Sequence, residues 1–119
     1  AVDGYNFNGS AYNSILLAEI AHLEGKSCWR GSEVDLGILE TMGLHIAAAS
    51  INCSIPSDIF GELVRVNDLI VEPIVFENGS AIVPEGDGLG IELDYEAISK
   101  YKTGNILTVS YDLVNEAVF

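Results

Sequence analysis

Positive charge is what this sequence has least of: five lysines and arginines stand against 18 acids, giving a net charge of −13. A surface that neutralises phosphates needs the opposite balance, which argues against nucleic acid or an anionic membrane as a partner. Cysteine is scarce as well. Cys28 and Cys53 are the only two, and reduced thiols in a cytoplasmic protein are the expectation. Long apolar runs are missing too. The longest uncharged stretch, Thr41–Ser57, contains His45, Asn52, Cys53 and Pro56, which argues against a membrane span. No basic-then-apolar leader opens the sequence. Gly31-Ser32 lacks the Gly-x-Ser-x-Gly elbow, so a serine hydrolase has little support. The spaced glycines of "GDGLG" (Gly86, Gly88, Gly90) lack the strand-to-helix frame of a nucleotide loop, and turn geometry is expected there.

Apolar residues are abundant. At 119 residues the chain is long enough for one core, yet 49% of it is hydrophobic and its mean hydropathy is +0.31. That surplus predicts surface covered by something else.

The spacing of the apolar residues predicts an alternation of elements in the first half. Val2–Asn8, "VDGYNFN", reads as a strand. Ser14–Glu24 places Ile15, Leu16, Ile20 and Leu23 on one helical face, with Gly25 as the stop. Lys26–Trp29 reads as a second strand. Ser32–Ala49 reads as a helix opened by a Ser32/Asp35 capping box. Ile51–Ile55, "INCSI", reads as a third strand ended by Pro56. Strand, helix, strand, helix, strand with short connections predicts an α/β fold with a parallel sheet. Ligands of such sheets bind beyond the carboxyl ends of the strands. The loops to inspect are therefore Asn6–Ser10, Cys28–Ser32 and Pro56–Asp58. The second half differs. Apolar runs flank Glu77-Asn78-Gly79, a hairpin signal. Asp94 predicts the cap of a short helix through Lys102, and the tail "NILTVSYDLV" has strand composition.

Several residues carry two readings. Cys28 is a site residue or a small buried hydrophobe. Trp29 and Arg30 line a pocket, with Arg30 pairing a substrate carboxylate, or they pack on a rim. Asp58 is catalytic or caps the turn after Pro56-Ser57. Cys53 is expected in the core, and His22 and His45 are expected to be structural. Asn8, Asn52 and Asn78 each open an Asn-x-Ser triplet, a pattern that arises often by chance.

In order along the chain, these pieces resemble the carboxyl-terminal portion of the mandelate racemase/muconate lactonising enzymes of the enolase superfamily. "VPEGDGLGIELD" (Val83–Asp94) with Tyr101 is similar to that family's Pro-x-Gly-x-Gly-Leu-Gly tail, and "SDIFG" (Ser57–Gly61) resembles its acid-x-Phe-Gly segment. Glu72-Pro73 and Gly31-Ser32 have counterparts, so the likeness runs from about Val2 to Lys102. It implies strands six to eight of a modified TIM barrel with their helices over residues 1–62. A hairpin, short helix and tail that pack on a capping domain follow over 63–119. It also implies a homo-oligomer and a small-molecule carboxylate substrate. Magnesium would be held on earlier strands, with no metal ligand on this chain, and chemistry would begin by α-proton abstraction. Racemisation or epimerisation stands ahead of cycloisomerisation and dehydration.

Matched residue by residue, Asn6 falls where the family has a strand-six lysine or aspartate, so the resemblance implies substrate orientation rather than a base. Cys28 falls near a strand-seven histidine and Asp58 at the acid or amide after strand eight, which makes both catalytic candidates. Trp29 and Arg30 are the remaining substrate-binding candidates. On these terms the chain is a fragment or needs a partner to complete the barrel. The rival readings are a non-catalytic binding or assembly module that reuses barrel pieces, and a small secreted, glycosylated domain.

Overall fold

The computed structural model describes residues 2–104. The strand-like tail from Asn105 onward lies outside the described residues.

Strand β1 (Gly4–Phe7) leads through Ser10 into helix α1 (Ala11–Leu23), and strand β2 (Ser27–Arg30) leads to helix α2 (Gly37–Ala49). The two strands pair in parallel, with Asn6 opposite Trp29 and Phe7 opposite Arg30. The expected strand–helix alternation is therefore present, with shifted bounds. Helix α1 starts three residues before the expected Ser14, because the Ser10 side chain accepts the Asn13 N–H and supplies the N-cap.

The expected start of the second helix at Ser32 is wrong by five residues. Ser32 Oγ accepts instead from Val34 N at 3.2 Å, and Val34 sits at φ 61°, outside the helical region. The helix opens at Gly37, whose N–H donates to Asp68 Oδ1 at 2.8 Å. A residue 31 positions away thus does the work assigned to the local capping box.

The third expected strand is also altered. Residues 52–58 run beside β2 but form no regular strand. Cys28 N donates to Asn52 O at 3.1 Å, Ile55 N to Cys28 O at 3.3 Å and Asp58 N to Arg30 O at 3.2 Å. Pro56 has no N–H to contribute, and Ser57 Oγ takes the place of a main-chain acceptor by receiving Arg30 N at 3.1 Å.

Packing follows from strand alternation. Phe7 and Cys28 face the helices and form one core with Ala18, Ala21 and Ile46. Helix α3 (Gly61–Val64), strands β3 (Phe76–Glu77) and β4 (Ser80–Ala81), and helix α4 (Tyr95–Tyr101) make up the second half. The hairpin turns at Asn78 (φ 50°) and Gly79 (φ 80°), the paired positive φ angles that Asn-Gly favours. Asp94 caps α4 by accepting Ala97 N at 2.9 Å, as the sequence predicts. A second core joins Leu44 of α2 to Ile70 and Ile74, so α2 lies between the two halves. Among the described residues no helix is long and apolar enough to cross a membrane.

Candidate functional site

Because β1 and β2 are parallel, their exit loops leave on one side, and residue 58 follows them there. The predicted convergence of loops is present. Gly31 N donates to Phe7 O at 3.1 Å, and Ser32 N donates to Asp58 Oδ1 at 3.2 Å. The amides of Asn6 and Asn8 lie against Gly31 so closely that a methyl group added there would overlap both. Any side chain but hydrogen would displace them. Asp58 is exposed and supplies the carboxylate of this cluster.

The five predicted site residues divide between two faces. Asn6 and Trp29 are cross-strand partners on the side away from the helices, where Asn6 is exposed and Trp29 half-buried. Asp58 joins them at the strand ends through Ser32. Cys28 and Arg30 lie on the other side of β2.

Cys28 does not join that group. Its residue is 0% exposed, packed in the first core, with its thiol 3.3 Å from Asn52 Oδ1. Burial pushes the thiol up to about 11, and neighbouring Cys53 adds to the shift. A thiol held protonated under two helices is a poor proton acceptor. Cys53 packs against the same core, as expected.

Arg30 faces the same way. The residue is 3% exposed, and its Nη1 donates to Phe7 O at 3.0 Å and Asn8 Oδ1 at 2.9 Å. Its fork ties the exit of β1 to the end of β2. Strand alternation had separated Cys28 and Arg30 from Trp29, and the period-two rule was available to find this.

Sequence reasoning missed a second polar centre. Glu40, fully buried on α2, lies 2.6 Å from Arg65 Nη2 and accepts the Gly61 N–H. Arg65 also bonds Asp68 Oδ2 at 3.1 and 2.6 Å and donates to Asp35 O. Burial alone would lower the guanidinium's pKa, but Glu40 and Asp68 outweigh it and raise it above its ordinary value. This network clasps α2 to the following segment. His45 has a structural contact too, 3.1 Å from Leu89 O in the glycine-rich turn.

Among the described residues no three His, Cys, Asp or Glu side chains converge as a metal site. The described part of the chain does not fit a magnesium ion, which needs several oxygens in octahedral array.

A parallel strand–helix unit with a polar cluster at its strand ends defines a piece of an α/β domain. Residues 7–98 match the family model described as enolase C-terminal domain-like, and the chain belongs to that family. It is 29% identical over 93 residues to muconate cycloisomerase 1 of Rhodococcus opacus, covering 78% of this chain and 25% of that protein. It is 28% identical over 94 residues to o-succinylbenzoate synthase of Enterococcus faecalis, covering 78% and 25%. The muconate lactonizing enzyme of Pseudomonas putida shares the fold with TM-score 0.79 at 20% identity, over 85% of this chain and 29% of that one. The chain spans about a quarter of the length of the curated relatives it matches.

Proposed function

We propose that this chain is the carboxyl-terminal part of a magnesium-dependent enolase-superfamily enzyme that removes the α-proton of a small carboxylate substrate. The observation that carries the reading is the family match over residues 7–98, joined to a polar cluster at the carboxyl ends of two parallel strands. Its relatives by name are cycloisomerases and a synthase, which moves cycloisomerisation ahead of racemisation. Residues 1–62 are read as strands six to eight of the barrel with their helices. Residues 63–104 are read as the hairpin and short helix that pack on a capping domain. The remaining strands, the capping domain and the magnesium ligands lie outside the described residues, and the complete enzyme is cytoplasmic.

In this reading the face carrying Asn6 and Trp29 looks into the barrel. The Asn6 amide orients a polar substrate group, since an amide is no base. Trp29 forms an apolar wall, and Asp58 is the catalytic carboxylate on this chain, exchanging a proton with the substrate. Magnesium held on the remaining strands would supply charge stabilisation to the substrate carboxylate. Arg30 is a positioning residue that holds Asn8 and the β1 exit, and Cys28 packs the layer beneath.

Proton exchange in deuterated water tests the reading, with the full-length protein, magnesium and a panel of small carboxylates. Magnesium-dependent deuterium uptake beside the carboxylate is expected. Asp58→Asn should lower turnover by about 10²–10⁴-fold. No exchange with any carboxylate, or full turnover in Asp58→Asn, would overturn the enzyme reading or the role of Asp58 respectively.

A further inference from the structure

Arg30 carries a buried positive charge that meets no negative one. The residue is 3% exposed, and the ion pairs among the described residues all belong to Arg65. Its Nη1 donates to the Phe7 carbonyl at 3.0 Å and to Asn8 Oδ1 at 2.9 Å, and Nε has no partner among those residues. Glu33 and Asp35 border the same cavity, of about 240 Å³, without pairing with it. A charge this far from water normally has a counterion. One of its two acceptors, the Asn8 side chain, is able to become one.

Asn8 is exposed on the exit loop of β1 and is followed by Gly9. Gly9 has φ 100° and nothing within 4 Å of the place a Cβ would occupy, so no side chain shields its nitrogen. Its N–H donates no main-chain hydrogen bond among the described residues. That nitrogen is free to attack the neighbouring side-chain amide, the local chemistry behind the thermal lability of asparagine. Arg30 Nη1, already on the amide oxygen, polarises the carbonyl and stabilises the oxyanion as it forms.

We propose that Asn8 is a self-modification site, where deamidation creates an aspartate that pairs with Arg30 and places negative charge beside the candidate site. Water is the one co-reactant. The Gly9 nitrogen loses its proton and bonds to Asn8 Cγ, the bond from Cγ to the amide nitrogen breaks, and ammonia leaves with that proton. Water then opens the cyclic imide at either carbonyl, giving aspartate or isoaspartate, and no electrons are transferred. Aspartate keeps the main chain unaltered, so its carboxylate falls where the amide stood, against the guanidinium. Because Asn8 lies with Asn6 against Gly31, the new charge faces the region where the enzyme reading puts a carboxylate substrate.

The chain contains its own control. Asn78-Gly79 is the same dipeptide and is equally open at the glycine, but it is held in the turn of the β3–β4 hairpin. Among the described residues Asn78 receives no hydrogen bond from a cationic side chain. Sequence alone ranks the two positions alike, whereas Arg30 ranks Asn8 first.

Peptide mass mapping of the full-length protein, aged in mildly alkaline buffer, is the test. A gain of one mass unit, with ammonia released, should appear at Asn8 about tenfold faster than at Asn78, the factor that a hydrogen bond to a charged group supplies. Asn8→Asp reads the product directly, and its melting temperature should exceed that of the wild type by about 2 °C. A third arm rests on the enzyme reading: in Asn8→Asp the KM for a carboxylate should rise about tenfold while kcat holds. Conversion at Asn8 no faster than at Asn78 overturns the inference. So does Asn8→Asp melting at or below the wild-type temperature, and an unchanged KM overturns the effect on the site. Mass and melting are read without turnover, so their failure is distinguishable from failure of the enzyme reading.

Discussion

Arg30 and Arg65 are both withdrawn from water, but the molecule treats their charges in opposite ways. Arg65 meets two carboxylates, Glu40 and Asp68. Arg30 meets a main-chain carbonyl and an amide, and its Nε has no hydrogen-bond partner among the described residues. The first arrangement is a compensated clasp between segments. The second holds a loop at the candidate site with neutral acceptors. The difference teaches that burial of an arginine does not reveal its role; the charge of its partners does.

The sharpest way to break this comparison is to remove each guanidinium in turn. Arg65→Met leaves the Glu40 carboxylate, 1% exposed, without a counterion, and should cost about 3–5 kcal/mol. Arg30→Met strands only a carbonyl and an amide and should cost about 1–3 kcal/mol. Denaturation of the full-length proteins measures both. Equal losses would show that the partners' charge does not matter.

Gly31 sharpens the same contrast on the functional side. Gly31→Ala pushes the Asn6 and Asn8 amides aside, and misplacement by about 1 Å should lower turnover up to ~100-fold. Steady-state kinetics with an unchanged melting temperature is the expected pairing.

Smaller effects are expected at Cys28. The thiol's pKa is raised to about 11 from an ordinary 9.0, so the folded form keeps its proton where the unfolded chain loses it. Stability present below pH 9 should therefore decline as pH rises from about 9 to 11. The decline should be absent in Cys28→Ala, as chemical denaturation at stepped pH would show. Turnover in Cys28→Ala should stay within about twofold of wild type, far from the ~10²-fold loss of an acid–base group.

Much of the frame was legible because it rests on local signals. Apolar spacing located α1, β2 and α2, Asn78-Gly79 marked the hairpin, and Asp94 marked its helix. What escaped rests on partners far away in sequence. The Ser32/Asp35 box matched a local pattern, but the helix opens at Gly37, whose N–H is served by Asp68. Glu40 carries no local signal of its burial, because Arg65 and the Gly61 N–H that enclose it lie far along the chain. At the site, loop convergence followed from parallel strands. The division of the candidates follows from strand alternation, which puts Cys28 and Arg30 on one side of β2 and Trp29 on the other.

The clasp around Arg65 also bears on the order of events in folding. Apart from the Arg65–Asp68 pair, its bonds join residues 21 to 31 positions apart, so they close only after α2 and the segment from Gly61 to Asp68 have met. Interactions made late leave the climb to the transition state unchanged and hold back the return. Weakening the clasp should accordingly quicken unfolding while refolding keeps its pace, making these three charged side chains a brake on the lifetime of the native state.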